Sequence, residues 1–170
     1  MALTWSPPIE LSKAEEAIVR RCKKAKLFVF LRQYRHELFD EAFQAELAGM
    51  YPERLRGKEP VPPALLAMVT LLQAVLGFSD EDAVEYAVFE RRWQMLLDCL
   101  GSDEAPFAQG TLFAFRQRLI ANDMDRRLLE RTVELAHKTH GFSAKSLRAA
   151  AKSAQRARQT RPGACESSSS

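Results

Sequence analysis

Residues 63–100 read PALLAMVTLLQAVLGFSDEDAVEYAVFERRWQMLLDCL, and the fold is decided there. From Leu65 to Leu76 only Thr70 and Gln73 are polar. A helix with no polar face belongs at the centre of a bundle. Pro62 and Pro63 suit the run-in and the first turn. At about 15 residues the run falls short of the ~20 that cross a bilayer. Gly77 stops it, and Ser79 with Asp82 three residues on has the spacing of a capping box that opens a second helix. Two helices joined through Gly-Phe-Ser form a helix-turn-helix-like pair, in the geometric sense that any corner between two helices shares.

Upstream, Pro7 and Pro8 keep residues 1–11 an irregular arm. Ser12 and Glu15 repeat the capping-box spacing and predict a helix from Ser12 to about Ala25. Its inward side would be Ala14, Ala17, Ile18 and Cys22; Glu15, Glu16, Arg20, Arg21, Lys23 and Lys24 would face out. LFVFL at 27–31 could be a short strand, but the apolar pattern runs on through Phe39, Phe43 and Leu47, and no partner strand is evident. Helix over 27–38 is preferred, with a second short helix, Glu41 to Ala48, starting from Asp40. Residues 49–62 read as a loop, made basic by Arg54, Arg56 and Lys58.

Downstream, Trp93, Leu96, Leu97 and Leu100 have helical spacing within 90–100, and 101–109 is a loop. A helix over Gly110–Ile120 has Thr111 as a possible cap and buries Leu112, Phe115 and Leu119. That leaves Gln109, Arg116, Gln117 and Arg118 for solvent or a partner. Met124–His140 is amphipathic, carries Leu128, Val133, Leu135 and Ala136 inward, and is closed by Gly141. Beyond Ala151 no apolar stripe remains, and the end, TRPGACESSSS, is low-complexity. The expectation is an all-α fold: a multi-helix bundle of six to eight helices around the 63–77 helix, spanning 12–150, with a disordered basic C-terminal tail at 151–170.

The chain has 170 residues and is 46% hydrophobic, enough for one domain with a real core. Net charge is +3. From Lys145 onward six bases face one acid, Glu166, so that segment carries +5 and everything before it −2. Three widely spaced cysteines, Cys22, Cys99 and Cys165, suit neither a disulfide framework nor a zinc site and fit a reducing compartment. MALTWSPPIELS lacks the regions of a signal peptide, which makes the cytoplasm the default. His137 and His140 share a helix face, with Glu130 and Glu134 as nearby candidates for the third metal ligand they would need. No Glu-x-x-His partner occurs elsewhere, so two exposed histidines near a helix end is the preferred reading; His36 has no evident role. The acids Asp80, Glu81, Asp82 and Glu85 sit where they stabilise a helix dipole. Phosphate-loop, nucleophile-elbow and dinucleotide motifs are absent, so no enzyme, catalytic residue, metal or cofactor is expected.

Two blocks in order carry a resemblance: VPPALLAMVTLLQAVLGFSDEDAVEYAVFERRWQMLLDCL, then APFAQGTLFAFRQRLI. Together, over roughly Leu27–Ala149, they resemble the N-terminal domain of bacterial DDE-type insertion-sequence transposases. The resemblance implies a helical domain that binds the element's terminal inverted repeats and helps assemble the transposase on them. In that family three carboxylates of a later RNase-H-like domain hold two divalent ions for strand chemistry. The tail here matches no part of that domain, so the sequence suggests a remnant whose reading frame was lost near residue 151.

Double-stranded DNA is therefore the expected partner, and the 110–120 helix the expected groove reader. Arg116 and Arg118 suit phosphates or guanine, Gln109 and Gln117 suit adenine, and Thr111 suits a phosphate at the helix start. Arg91 and Arg92, with Arg54, Arg56 and Lys58, are further backbone contacts. The helix from Asp80 ranks lower because its acids repel phosphate. The mildly acidic body also fits another role, a protein-interaction or dimerisation module that regulates or inhibits intact transposase.

Overall fold

The computed structural model describes residues 4–52 and 60–139, together with Lys145 and Lys152. Among these residues every element is an α-helix: α1 Lys13–Arg21, α2 Lys26–Leu38, α3 Glu41–Ala48, α4 Pro63–Leu76, α5 Asp80–Phe89, α6 Arg91–Leu96, α7 Gln109–Ala121 and α8 Met124–Thr139. The expected all-helical bundle is what forms. The loop bases Arg54, Arg56 and Lys58, His140, and the tail from 151 apart from Lys152 lie outside the described residues.

Local chemistry starts and stops the helices where the sequence indicates. The Ser79 hydroxyl accepts the Asp82 N–H at 3.1 Å, and the Asp82 carboxylate accepts the Ser79 N–H at 2.9 Å. Ser12 and Glu15 make the same exchange at the start of α1. Asp40 accepts the Phe43 N–H at 2.8 Å and opens α3. Gly77 ends α4 at φ 73°, a left-handed turn that a side chain would strain. α4 and α5 then meet across a bend of 108°.

Burial follows the apolar pattern. α4 is buried continuously from Pro63 to Val69 and packs against α3, α5, α7 and α8. Trp93 of α6 is fully enclosed, stacked on Phe78 at 5.9 Å and beside Tyr86 at 5.7 Å. A separate small cluster of Ile18, Cys22 and Met95 joins α1 to α6. No single helix among the described residues is long and apolar enough to cross a membrane; α4 and α5 reach that only jointly, across their bend, and α4 is core.

Four expectations are corrected. α1 ends at Arg21, not near Ala25, because Cys22 leaves helical geometry and caps it. Ala14 is exposed while Glu15 is buried. Arg32 draws Glu15 inward: its Nε donates to Glu15 Oε1 at 3.0 Å, and its other nitrogens donate to the carbonyls of Ile9 and Glu10 at 3.1 and 2.9 Å. Burial opposes the charge on Glu15, but bonds from Arg32 and Ser12 hold its pKa below the ordinary value. α6 stops at Leu96, short of Leu100, and Asp98 turns left-handed at φ 56°. The Gln94 amide braces that turn by donating to the carbonyls of Val88 and Ser102, each at 2.9 Å. Finally, α7 begins at Gln109 with Ala108 as its cap residue, so Thr111 lies in the first turn and is not the cap.

Candidate nucleic-acid interface

α7 buries Leu112, Phe115 and Leu119, which turns its first residues outward. Gln109, Gly110, Thr111 and Ala114 are exposed, and Phe113 is 49% exposed. The next turn is a different environment. Arg116 is not left for solvent: its guanidinium forks the Asp80 carboxylate, with Nη2 donating to Oδ2 at 2.7 Å and Nη1 to Oδ1. Gln73 of α4 donates to the same carboxylate at 2.9 Å. Arg118 lies over the Tyr51 ring at 4.5 Å, a cation–π contact on the segment after α3. Gln117 is half-buried along a groove of about 540 Å³ lined from α4, α5, α7 and α8. Of the four polar α7 side chains expected to be free, Gln109 alone is wholly so, with Thr111 beside it.

The other candidates separate in the same way. Arg91 is exposed. Arg92 is held by Glu90, its Nε donating to the two carboxylate oxygens at 2.9 and 3.0 Å, and it covers the Phe28 ring at 4.8 Å. On α5, Glu81 and Glu85 remain exposed acids. His137 is exposed, and His36 stands 3.9 Å from Glu37. Among the described residues no cluster of three or more His, Cys, Asp or Glu side chains is placed to hold a metal ion.

The Asp80–Arg116 pair pins α5 to α7, and sequence reading missed it because no local pattern links residues 36 positions apart. The Arg116 bond, followed by that from Gln73, lowers the Asp80 pKa below its ordinary 3.8, although burial opposes this. A carboxyl depressed in the folded state stabilises the fold fully above 3.8 and loses that contribution as pH falls through the folded value. Asp80→Asn should therefore remove about 1 kcal/mol at pH 7. Urea titrations at pH 7 and at successively lower pH below 3.8 should show the two proteins converging in acid. An equal gap at both would place the stabilisation elsewhere.

A family model described as Transposase domain (DUF772) matches residues 15–118, from α1 into α7. Neither the curated proteins nor the solved structures contain a match to the chain.

Proposed function

The chain belongs to the DUF772 transposase-domain family, and on that premise we propose that it binds double-stranded DNA at the terminal inverted repeats of an insertion sequence and helps assemble the transposase there. One observation carries the reading. The first turn of α7 is exposed while the turns behind it are pinned to α5 by Arg116–Asp80 and to Tyr51 by Arg118. Groove-reading helices contact bases with their N-terminal residues and need a rigid mount behind them. Gln109 matches the N6/N7 edge of adenine, and Thr111 matches a phosphate or a base edge. Arg116 becomes a positioning residue, and Arg91 a backbone contact. α5 stays out of the groove because Glu81 and Glu85 would face phosphate. Strand cutting is assigned to chemistry beyond these helices: with magnesium, the purified chain should leave a supercoiled plasmid carrying two repeats intact.

Fluorescence anisotropy on a duplex bearing the element's terminal repeat, against a scrambled duplex, tests the reading. The protein should prefer the repeat, and Gln109→Ala should cost about 1–3 kcal/mol on it and much less on the scrambled sequence. Equal affinity of the native protein for both duplexes sinks it. A second reading, a module that pairs with itself or with intact transposase, is favoured by Phe89, which is 80% exposed at the end of α5. A dimer mass by light scattering that Phe89→Ser abolishes, with no DNA preference, would support that reading instead.

A further inference from the structure

We propose that the cleft between the end of α1 and the start of α6 is a second DNA contact, where Arg21, Lys23, Lys24 and Arg91 grip backbone phosphates of a duplex. The inference rests on the DNA-binding reading above but uses none of the α7 residues. Packing of Ile18 and Cys22 on Met95 brings the two distant segments together. Between them opens a cleft of about 720 Å³ whose rim carries all four bases.

Each of the four is exposed, and none forms an ion pair within the described residues. The one acid on the cleft, Glu90, is already taken by Arg92. In a body whose charge before Lys145 sums to −2, this is a concentrated surplus. The α1 bases have a local explanation, since cations suit the C-terminal end of a helix. Arg91 does not, because it opens α6, the end at which a cation is disfavoured.

The lining also decides the class of partner. Its apolar members are Ala17, Ile18, Cys22 and Ala25, with no aromatic ring among the cleft residues. Single-stranded nucleic acid is held by stacking bases on aromatics. Protein hot spots centre on Trp and Tyr beside Arg, and an interfacial amphipathic helix inserts bulky apolar groups; the cleft offers neither. Bases without such groups suit the phosphates of a duplex, which presents one charge per ~1.7 Å of axis. Such contacts position a protein on DNA and carry no sequence information.

The test measures anisotropy of the full chain on the repeat and scrambled duplexes across a potassium chloride series. The triple variant Lys23→Ala, Lys24→Ala, Arg91→Ala should bind both duplexes more weakly by the same factor, about tenfold or more at low salt. Its slope of log affinity against log salt should be shallower by about 2 to 3 units. Lys13→Ala, a lysine at the far end of α1, should leave the slope unchanged, and circular dichroism should show wild-type helicity throughout. A triple variant with the wild-type slope, in a protein that still prefers the repeat, overturns this contact and leaves the α7 reading standing. Tighter binding of the native chain to phosphatidylserine vesicles than to either duplex also overturns it. Loss of repeat preference in Gln109→Ala with the slope preserved, beside a shallower slope in the triple variant with the preference preserved, establishes two separate contacts.

Discussion

Replacing Arg35 with alanine should destabilise the protein by about 3–5 kcal/mol, because carbonyls lose a charged donor at about 1–3 kcal/mol each and the missing side chain leaves a cavity. Arg35 is 2% exposed. Its Nη1 donates to the carbonyls of Met95 and Leu96 at 3.0 and 2.9 Å, and its Nη2 to the carbonyl of Pro8 at 3.0 Å. The guanidinium also lies 5.4 Å from the centre of the Trp5 ring. Burial pushes its pKa down to about 10, so it stays charged at neutral pH. Carbonyl dipoles, two of them in the last turn of α6, receive that charge. A helix end with free carbonyls favours a cation there. Alanine would strip this donor from the buried end of α6 and remove one anchor of the N-terminal arm, which the Arg32 bonds to Ile9 and Glu10 and the Gln44 bonds to Trp5 would still hold. Arg35→Lys should recover only part of the loss, since an ammonium cannot fork three acceptors on two sides. Urea unfolding followed by circular dichroism reads both variants. A loss below 1 kcal/mol for the alanine would mean that the clamp contributes little.

Trp93→Ala should cost a similar amount, about 3–5 kcal/mol, through the cavity it leaves. Trp93 is 0% exposed and wedges against Phe78 and Tyr86, the residues that shape the α4–α5 corner. Domains of this kind hold only about 5–15 kcal/mol in total, so the variant should melt far below the native protein. On the proposed function, its binding to the repeat duplex should fail at temperatures where the native chain holds it. Trp93→Phe is the informative companion. Among the described residues the indole N–H has no hydrogen-bond partner, so phenylalanine forfeits volume but no bond and should cost less. If phenylalanine proves as damaging as alanine, cavity size is not what matters.

Most of the architecture was legible because it is written in local chemistry. The Ser12, Asp40 and Ser79 caps, the Gly77 stop and the unbroken apolar run of α4 each mark an element where one exists. Hydrophobic spacing also identified Leu112, Phe115 and Leu119 as the inward face of α7. What escaped were charges that fold inward. Arg32, Arg35 and Glu15 read as surface residues in any pattern that equates charge with solvent, yet all three are buried by partners far away in sequence. The same blind spot governed the site. In the sequence Arg116 and Asp80 read as separate groups facing outward, and only the packing of α5 on α7 joins them. The α1–α6 bases do not read as a group, because α2 to α5 lie between their two halves in sequence.

The small cluster of Ile18, Cys22 and Met95 stands apart from the main core. α1 is thus fastened by few apolar contacts, by the Glu15–Arg32 pair and by the Arg32 bonds to the arm. Segments tethered so lightly open on their own at lower free energy than the whole molecule. The first helix is then the leaf expected to lift first from the trunk, and a polyanion lying across the proposed cleft contact would bridge the two and oppose that lifting. Occupancy of that groove would register as slower proteolysis at the leaf's edge well before it changed the melting of the trunk.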